Sequence, residues 1–154
     1  MKAAVGGYAR ARDLRHALEL LSSAEGAGRV LAGGQSLVAA LNMRLTTGDV
    51  LVDITGLADC RGVVDQGESL RIGALTRHVE IGRDPLIRAH APLLADAVGH
   101  IAHAAIRNRG TFGGAIAHAD PAAEFPACVL ALGAVMHVES LEGARDVPAE
   151  AFFR

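Results

Sequence analysis

The sequence predicts a fold that is α/β in its first part and α+β thereafter, in two lobes spanning residues 1–55 and 56–154. Three observations predict it. Up to Ile54, short apolar runs alternate with amphipathic helical repeats, as expected of strands joined by helical crossovers. Beyond Cys60 the pattern changes to paired short strands and proline-started helices. Glycine supplies the punctuation throughout, at 18 of 154 residues, with no repeat, linker or low-complexity tract.

In the first lobe, Asp13 precedes Leu14, Ala17, Leu18 and Leu21 at helical spacing, which predicts an N-capped helix ended by Gly26-Ala27-Gly28. Arg29-Val30-Leu31-Ala32 reads as a strand broken by Gly33-Gly34. Ser36 then caps a helix running through Leu37, Ala40, Leu41 and Leu45. Val50-Leu51-Val52-Asp53-Ile54 is a second buried strand and completes a β-α-β-α-β lobe.

In the second lobe, Val63-Val64-Asp65 and Ser69 to Gly73 flank Gln66-Gly67-Glu68 as a β-hairpin. Thr76 caps a short helix, Asp84-Pro85 restarts the chain, and Pro92 opens a helix with Leu93, Leu94, Ala97, Val98 and Ile101 on one face. Residues 106–114 read as a loop. Asp120-Pro121 starts a helix carrying Phe125, Cys128, Val129 and Leu132 inward, with Pro126 a candidate distortion in its second turn. Residues 134–139 pair with 144–147, and a further helix begins at Pro148. The second lobe is thus expected to rest on a mostly antiparallel sheet.

Composition limits the chemistry. Hydrophobic residues make up 51% of the chain but aromatics only 3%, with no Trp, so the core is built from small and branched side chains and base-stacking platforms are scarce. Fifteen basic against seventeen acidic residues give a net charge of −2, which supplies no field for nucleic acid. Lys2 is the only lysine, which excludes a Schiff-base lysine and the Walker A lysine. Cys60 and Cys128 form no C-x-x-C pair, so a reducing, cytoplasmic setting is expected. The first residues show no apolar leader, and no uncharged stretch reaches membrane-spanning length.

Two glycine-rich turns dominate the candidate chemistry: Ala32-Gly33-Gly34-Gln35-Ser36 and Thr111-Phe112-Gly113-Gly114-Ala115. A strand that ends in glycines and feeds a helix leaves backbone N–H groups unpaired and lets a phosphate approach them. Taken alone, either segment is weak evidence, since Gly-Gly at a strand–helix junction is more often an ordinary tight turn, and neither has the G-x-G-x-x-G spacing. His100, His103 and His118 near Asp120 form a candidate metal site, but no H-E-x-x-H accompanies them. Ser36 lacks the second glycine of G-x-S-x-G, against a hydrolase elbow. Arg107 and Arg109 suit either a solvated loop or an anionic contact, and Cys128 suits core.

Taken together, A-G-G-Q-S at 32–36, L-R-I-G-A-L-T-R-H at 70–78, I-R-N-R-G-T-F-G-G at 106–114 and A-H-A-D-P-A-A-E at 117–124 resemble the FAD-binding medium subunit of molybdenum hydroxylases, the carbon monoxide and xanthine dehydrogenase type. The resemblance runs over essentially the whole chain. It implies the FAD-binding fold of that family, similar in outline to vanillyl-alcohol-oxidase-type flavoenzymes, with FAD between the two lobes. Ala32, Gly33, Gly34, Gln35 and Ser36 would line the pyrophosphate; Thr111, Phe112, Gly113, Gly114 and Ala115 would form the second FAD loop; Asp120 and Glu124 would follow it.

The resemblance further implies a cytoplasmic oxidoreductase subunit that relays electrons from a partner's [2Fe–2S] clusters through FAD to NAD or a quinone. A large molybdopterin subunit and a small iron–sulfur subunit would complete a heterotrimer. It implies no metal ligand and no catalytic side chain in this chain. The chain departs from the pattern at Glu124, where aspartate is usual, at Ala104-Ala105, where Pro-Gln is common, and at Phe112, where an aliphatic residue is usual. The family's C-terminal domain lies outside this sequence. The alternatives are a nucleotide-binding or assembly module without stable flavin and a histidine-based metal hydrolase.

Overall fold

The computed structural model describes residues 5–46 and 50–153; residues 1–4, part of the N-terminal reading above, lie outside them. The chain divides into two compact units, Met1–Asp59 and Cys60–Arg154.

The first unit is a three-stranded parallel sheet with helical crossovers. Its elements are β1 (Gly7–Arg10), α1 (Leu14–Ser23), β2 (Gly28–Leu31), α2 (Leu37–Asn42) and β3 (Val50–Asp53), with strand order β1-β3-β2. β3 takes the centre because it is buried on both faces: Leu51, Val52 and the polar Asp53 are all buried. The register sets Tyr8 and Arg29 beside Leu51, and Arg10 and Leu31 beside Asp53. α1 starts where Asp13 Oδ1 accepts the His16 N–H at 2.7 Å, and it packs on β2 and β3 around the buried Ala17.

α2 departs from expectation at both ends. Ser36 already has helical dihedrals (φ −98°, ψ −51°) and makes no capping bond, because a helical residue cannot swing its hydroxyl back to the first free N–H groups. The helix closes at Asn42, and Arg44 turns left-handed at φ +57°, which leaves Leu45 outside it and 74% exposed.

The second unit is mainly helical. A 3-10 turn (Ala58–Cys60) leads to the hairpin β4 (Val63–Asp65) and β5 (Leu70–Ile72). Helices α3 (His78–Ile81), α4 (Pro85–His90), α5 (Pro92–His100), α6 (Ala104–Arg107), α7 (Phe112–His118) and α8 (Glu124–Ala131) follow. The hairpin β6 (Val135–Ser140) and β7 (Gly143–Pro148) and helix α9 (Ala149–Phe152) complete it. Its core gathers Ile81, Ile87, Leu94, Val98, Ile116, Phe125 and Val129, and Phe125 meets Phe112 edge-on at 5.0 Å.

Several expectations are corrected here. Among the described residues the strands of this unit form two separate two-stranded ribbons rather than one antiparallel sheet. The helices fill the centre, and each ribbon lays one face on it, through Val63, Leu70 and Ile72 or through Met136. Residues 106–114 are not loop throughout: they close α6 and open α7. Leu93 and Leu132 are 42% and 44% exposed, because they stand in the first turn of α5 and just past the last turn of α8, where the apolar stripe outruns the packed layer. Asp120 opens no helix; its Oδ1 accepts the Ala122 N–H at 2.9 Å in a turn, and α8 begins at Glu124. Pro126 is then the third helical residue, where the ring removes an N–H that has no helical acceptor anyway, so it distorts nothing. Thr76 does not cap α3; its hydroxyl exchanges hydrogen bonds with the Gly62 N–H (2.9 Å) and C=O (3.1 Å). Among the described residues no helix is long and apolar enough to cross a membrane.

Candidate functional site

The first glycine segment leaves β2 at Leu31 and enters α2 at Leu37, at the carboxyl ends of parallel strands where α/β sheets bind their ligands. Gly34 has φ +71°, and a Cβ there would sit 3.0 Å from Val38 Cγ2 and 3.3 Å from Leu31 Cδ1. Both backbone conformation and space therefore demand glycine. The Gln35 side chain donates from Nε2 to the Gly33 carbonyl at 2.9 Å and folds the segment on itself. Gly34 and Ser36 carbonyls accept the N–H groups of Val38 and Ala40. Among the described residues, the N–H groups of Gly33, Gly34, Gln35 and Ser36 find no acceptor, and the exposed Ser36 hydroxyl makes no bond. Five donors without protein partners, on a turn with no Cβ at two positions, fit a phosphate group.

Beside this segment, Asp53 is buried yet carries a carboxylate. Tyr8 Oη donates to its Oδ2 at 2.5 Å and the Thr55 N–H to its Oδ1 at 2.8 Å. Burial pushes its pKa up, but these two bonds and the Arg10 guanidinium outweigh it, so the carboxyl lies below its ordinary value. The same contact raises the Tyr8 hydroxyl. Asp53 thus remains anionic with each oxygen occupied from within its own unit.

The second glycine segment is built differently. Thr111 N-caps α7, its Oγ1 accepting the Gly114 N–H at 3.3 Å and its carbonyl the Ala115 N–H at 3.1 Å. The Phe112 and Gly113 N–H groups go to the carbonyls of Thr76 (2.8 Å) and Ala74 (2.9 Å). All four amides from 112 to 115 are used, which corrects the expectation of two exposed cradles. The glycines here serve close approach, for a Cβ on Gly113 would lie 2.5 Å from Ala74 Cβ, and one on Gly110 2.7 Å from His78 Cε1. Thr111 and Phe112 are buried, Gly113, Gly114 and Ala115 half-buried. Asp120 is exposed, and Glu124 is half-buried at the start of α8.

His100 ends α5, His103 precedes α6 and His118 ends α7; among the described residues no three His, Cys, Asp or Glu side chains gather as a metal site. Arg107 is a structural tie, donating to the carbonyls of Ile101 (2.8 Å) and Ala102 (2.9 Å) across the α5–α6 turn. Arg109 is exposed, and its carbonyl accepts from Arg77 Nη1. Cys128 is core, its thiol pushed up by burial and by Glu124.

Sequence reasoning missed Asp53 and His78, both buried polar residues. The signal for Asp53 was a carboxylate closing an otherwise apolar strand.

The comparisons complete the picture. A family model described as the FAD binding domain in molybdopterin dehydrogenase matches residues 3–154. The chain is 43% identical over 141 residues to the 6-hydroxypseudooxynicotine dehydrogenase complex subunit alpha of Paenarthrobacter nicotinovorans, covering 92% of this chain and 48% of that one. It is 36% identical over 146 residues to the carbon monoxide dehydrogenase medium chain of Hydrogenophaga pseudoflava, covering 95% and 51%. The solved carbon monoxide dehydrogenase of Hydrogenophaga pseudoflava superposes with a TM-score of 0.97 at 36% identity, over 100% of this chain and 54% of that one. Quinoline 2-oxidoreductase from Pseudomonas putida 86 superposes with a TM-score of 0.92 at 36% identity, over 97% and 52%. The chain spans about half the length of these relatives. With this fold, and with the glycine turn at the end of β2, the chain belongs to the family of FAD-binding domains of molybdopterin dehydrogenases.

Proposed function

We propose that this chain binds FAD and serves as the flavin-bearing part of a molybdenum hydroxylase-type dehydrogenase. The observation that carries the reading is the set of unpartnered N–H groups at Gly33, Gly34, Gln35 and Ser36 in a chain of this family. These amides and the Ser36 hydroxyl would hold the pyrophosphate, with Ala32 lining the entry to the turn. Thr111, Phe112, Gly113, Gly114 and Ala115 would present a close-packed surface to the cofactor rather than backbone donors. Asp120 and Glu124 would accept hydrogen bonds from cofactor hydroxyls, Glu124 from the first turn of α8.

The chemistry FAD supplies when bound is electron relay, from [2Fe–2S] clusters of a small partner subunit to an acceptor such as NAD or a quinone. A large molybdopterin subunit would carry out substrate hydroxylation, in a cytoplasmic heterotrimer. The relative named as a carbon monoxide dehydrogenase medium chain supports the multi-subunit reading. In this account the side chains of this domain bind and orient; none acts as acid, base or nucleophile. The experiment is titration of the purified chain with FAD, followed by flavin absorbance and fluorescence. Saturable binding of one FAD per chain is expected, and loss of binding in Ser36→Glu ties it to the first turn.

A further inference from the structure

His78 is a buried titratable residue beside the second glycine segment whose chemistry the reading above leaves unused. The residue is 6% exposed, and its ring stands edge-on to Phe125 at 5.0 Å. Nε2 lies 3.0 Å from the Thr111 carbonyl. A carbonyl only accepts, so Nε2 carries the proton and donates, and Nδ1 is the bare acceptor. That Nδ1 is, among the described residues, the buried side-chain polar atom without a partner. A buried acceptor left unpaired is costly, and a hydrophobic side chain would avoid the cost. What the imidazole provides in return is the bond to Thr111.

Thr111 governs the segment that follows. Its carbonyl takes both the His78 Nε2–H and the Ala115 N–H, and its hydroxyl takes the Gly114 N–H. The backbone reinforces the same alignment, for the His78 N–H donates to the Gly110 carbonyl at 3.1 Å and the Phe112 N–H to Thr76. Gly110 is glycine because any Cβ would strike the imidazole. The ring also meets α8, where Phe125 stands edge-on to it and the Glu124 carboxylate acts on it electrostatically. One imidazole therefore joins the start of α7 to the start of α8, which carry Thr111 to Ala115 and Glu124.

We infer that His78 is a positioning residue for the cofactor: its neutral, Nε2-protonated ring locks Thr111 and so fixes the first turn of α7 against Glu124 in the geometry FAD requires. The inference rests on the flavin reading above. It predicts that the donor at the ε position matters and the nature of the ring does not. His78→Gln places an amide N–H at the same reach and leaves one acceptor unpaired, as the imidazole does. His78→Leu fills similar space without the donor.

The test measures FAD dissociation constants for the full chain, His78→Gln and His78→Leu, with thermal melts and amide hydrogen exchange at residues 112–115 alongside. The expected result is affinity within about threefold of the unaltered chain for His78→Gln and at least about tenfold weaker for His78→Leu, the weight of one well-placed hydrogen bond. Exchange at 112–115 should quicken in His78→Leu while α5 stays protected. If His78→Leu does not fold, Gly110→Ala, which pushes the ring off Thr111, takes its place. Equal FAD affinity in all folded variants overturns the positioning role and leaves the flavin reading standing. Failure of the unaltered chain to bind FAD overturns the flavin reading first and this role with it.

Discussion

Gly113 lies so close to Ala74 that a β-carbon on it would stand 2.5 Å from the Ala74 Cβ and 2.7 Å from its Cα. The contact explains why α7 tolerates two glycines in its first turn, where they ordinarily weaken a helix. Residues 74–76 take over the Phe112 and Gly113 amides and hold the turn from outside. Gly113→Ala is accordingly expected to destabilise the second unit by about 2–4 kcal/mol through backbone displacement. Gly67→Ala, in the open hairpin turn at φ +86°, should cost only about 1 kcal/mol. Urea unfolding of the two variants checks the ranking.

The first turn should separate binding from folding. The Ser36 side chain is exposed and bonds to nothing among the described residues, so Ser36→Glu leaves the fold intact while placing a carboxylate against the free amides. FAD affinity should fall at least about a hundredfold, and Ser36→Ala, which loses one hydroxyl donor, about three- to tenfold. Fluorescence titration reads both. Gly34→Asp is a poorer probe, because φ +71° and the 3.0 Å approach to Val38 would strain the turn as well as charge it.

Asp53 ties the first unit's stability to acid. Its folded carboxyl lies below the ordinary value, so its contribution is complete above the ordinary carboxylate range and is lost as pH falls through the lowered folded value. Asp53→Asn should melt at lower temperature than the unaltered chain at pH 7, and the two should converge toward pH 3. Tyr8→Phe should shift the melting point in the same direction by less, since the Thr55 N–H remains.

His78 acts in a higher window. Burial lowers its pKa against the opposing influence of the Thr111 carbonyl and Glu124, so below about pH 6.5 the unfolded chain takes up a proton that the folded chain refuses. Its contribution to stability is complete above that pH and falls as pH drops toward the lowered folded value. Melting points at pH 7.5 and 5.5 should differ more for the unaltered chain than for His78→Gln.

Much of this was legible in the residues. The two later strands of the first unit followed from apolar runs at Val30 and Val50, and its first helix from Asp13 ahead of a helical stripe, where Asp13 does cap α1; no run was assigned to β1 (Gly7–Arg10), which alternates half-buried and exposed residues at the sheet edge. The hairpins at 63–72 and 135–148 followed from alternation about glycine turns. What escaped depended on partners distant in sequence. The helix at 112–118 is invisible to propensity because Ala74 and Thr76 stabilise it. Thr76 looks like a cap and instead anchors Gly62, a pairing no local pattern announces. The two glycine segments looked alike in sequence, yet one leaves its amides free and the other uses every one from 112 to 115.

That difference carries the account, and ligand-induced protection at those amides tests it most directly. Hydrogen exchange of the chain with and without saturating FAD should show strong new protection at Gly33, Gly34, Gln35 and Ser36, with little change at residues 112–115, which are already bonded within the chain. Saturable FAD binding that leaves 33–36 unprotected would contradict the assignment of the first turn, and absence of binding would contradict the flavin reading itself.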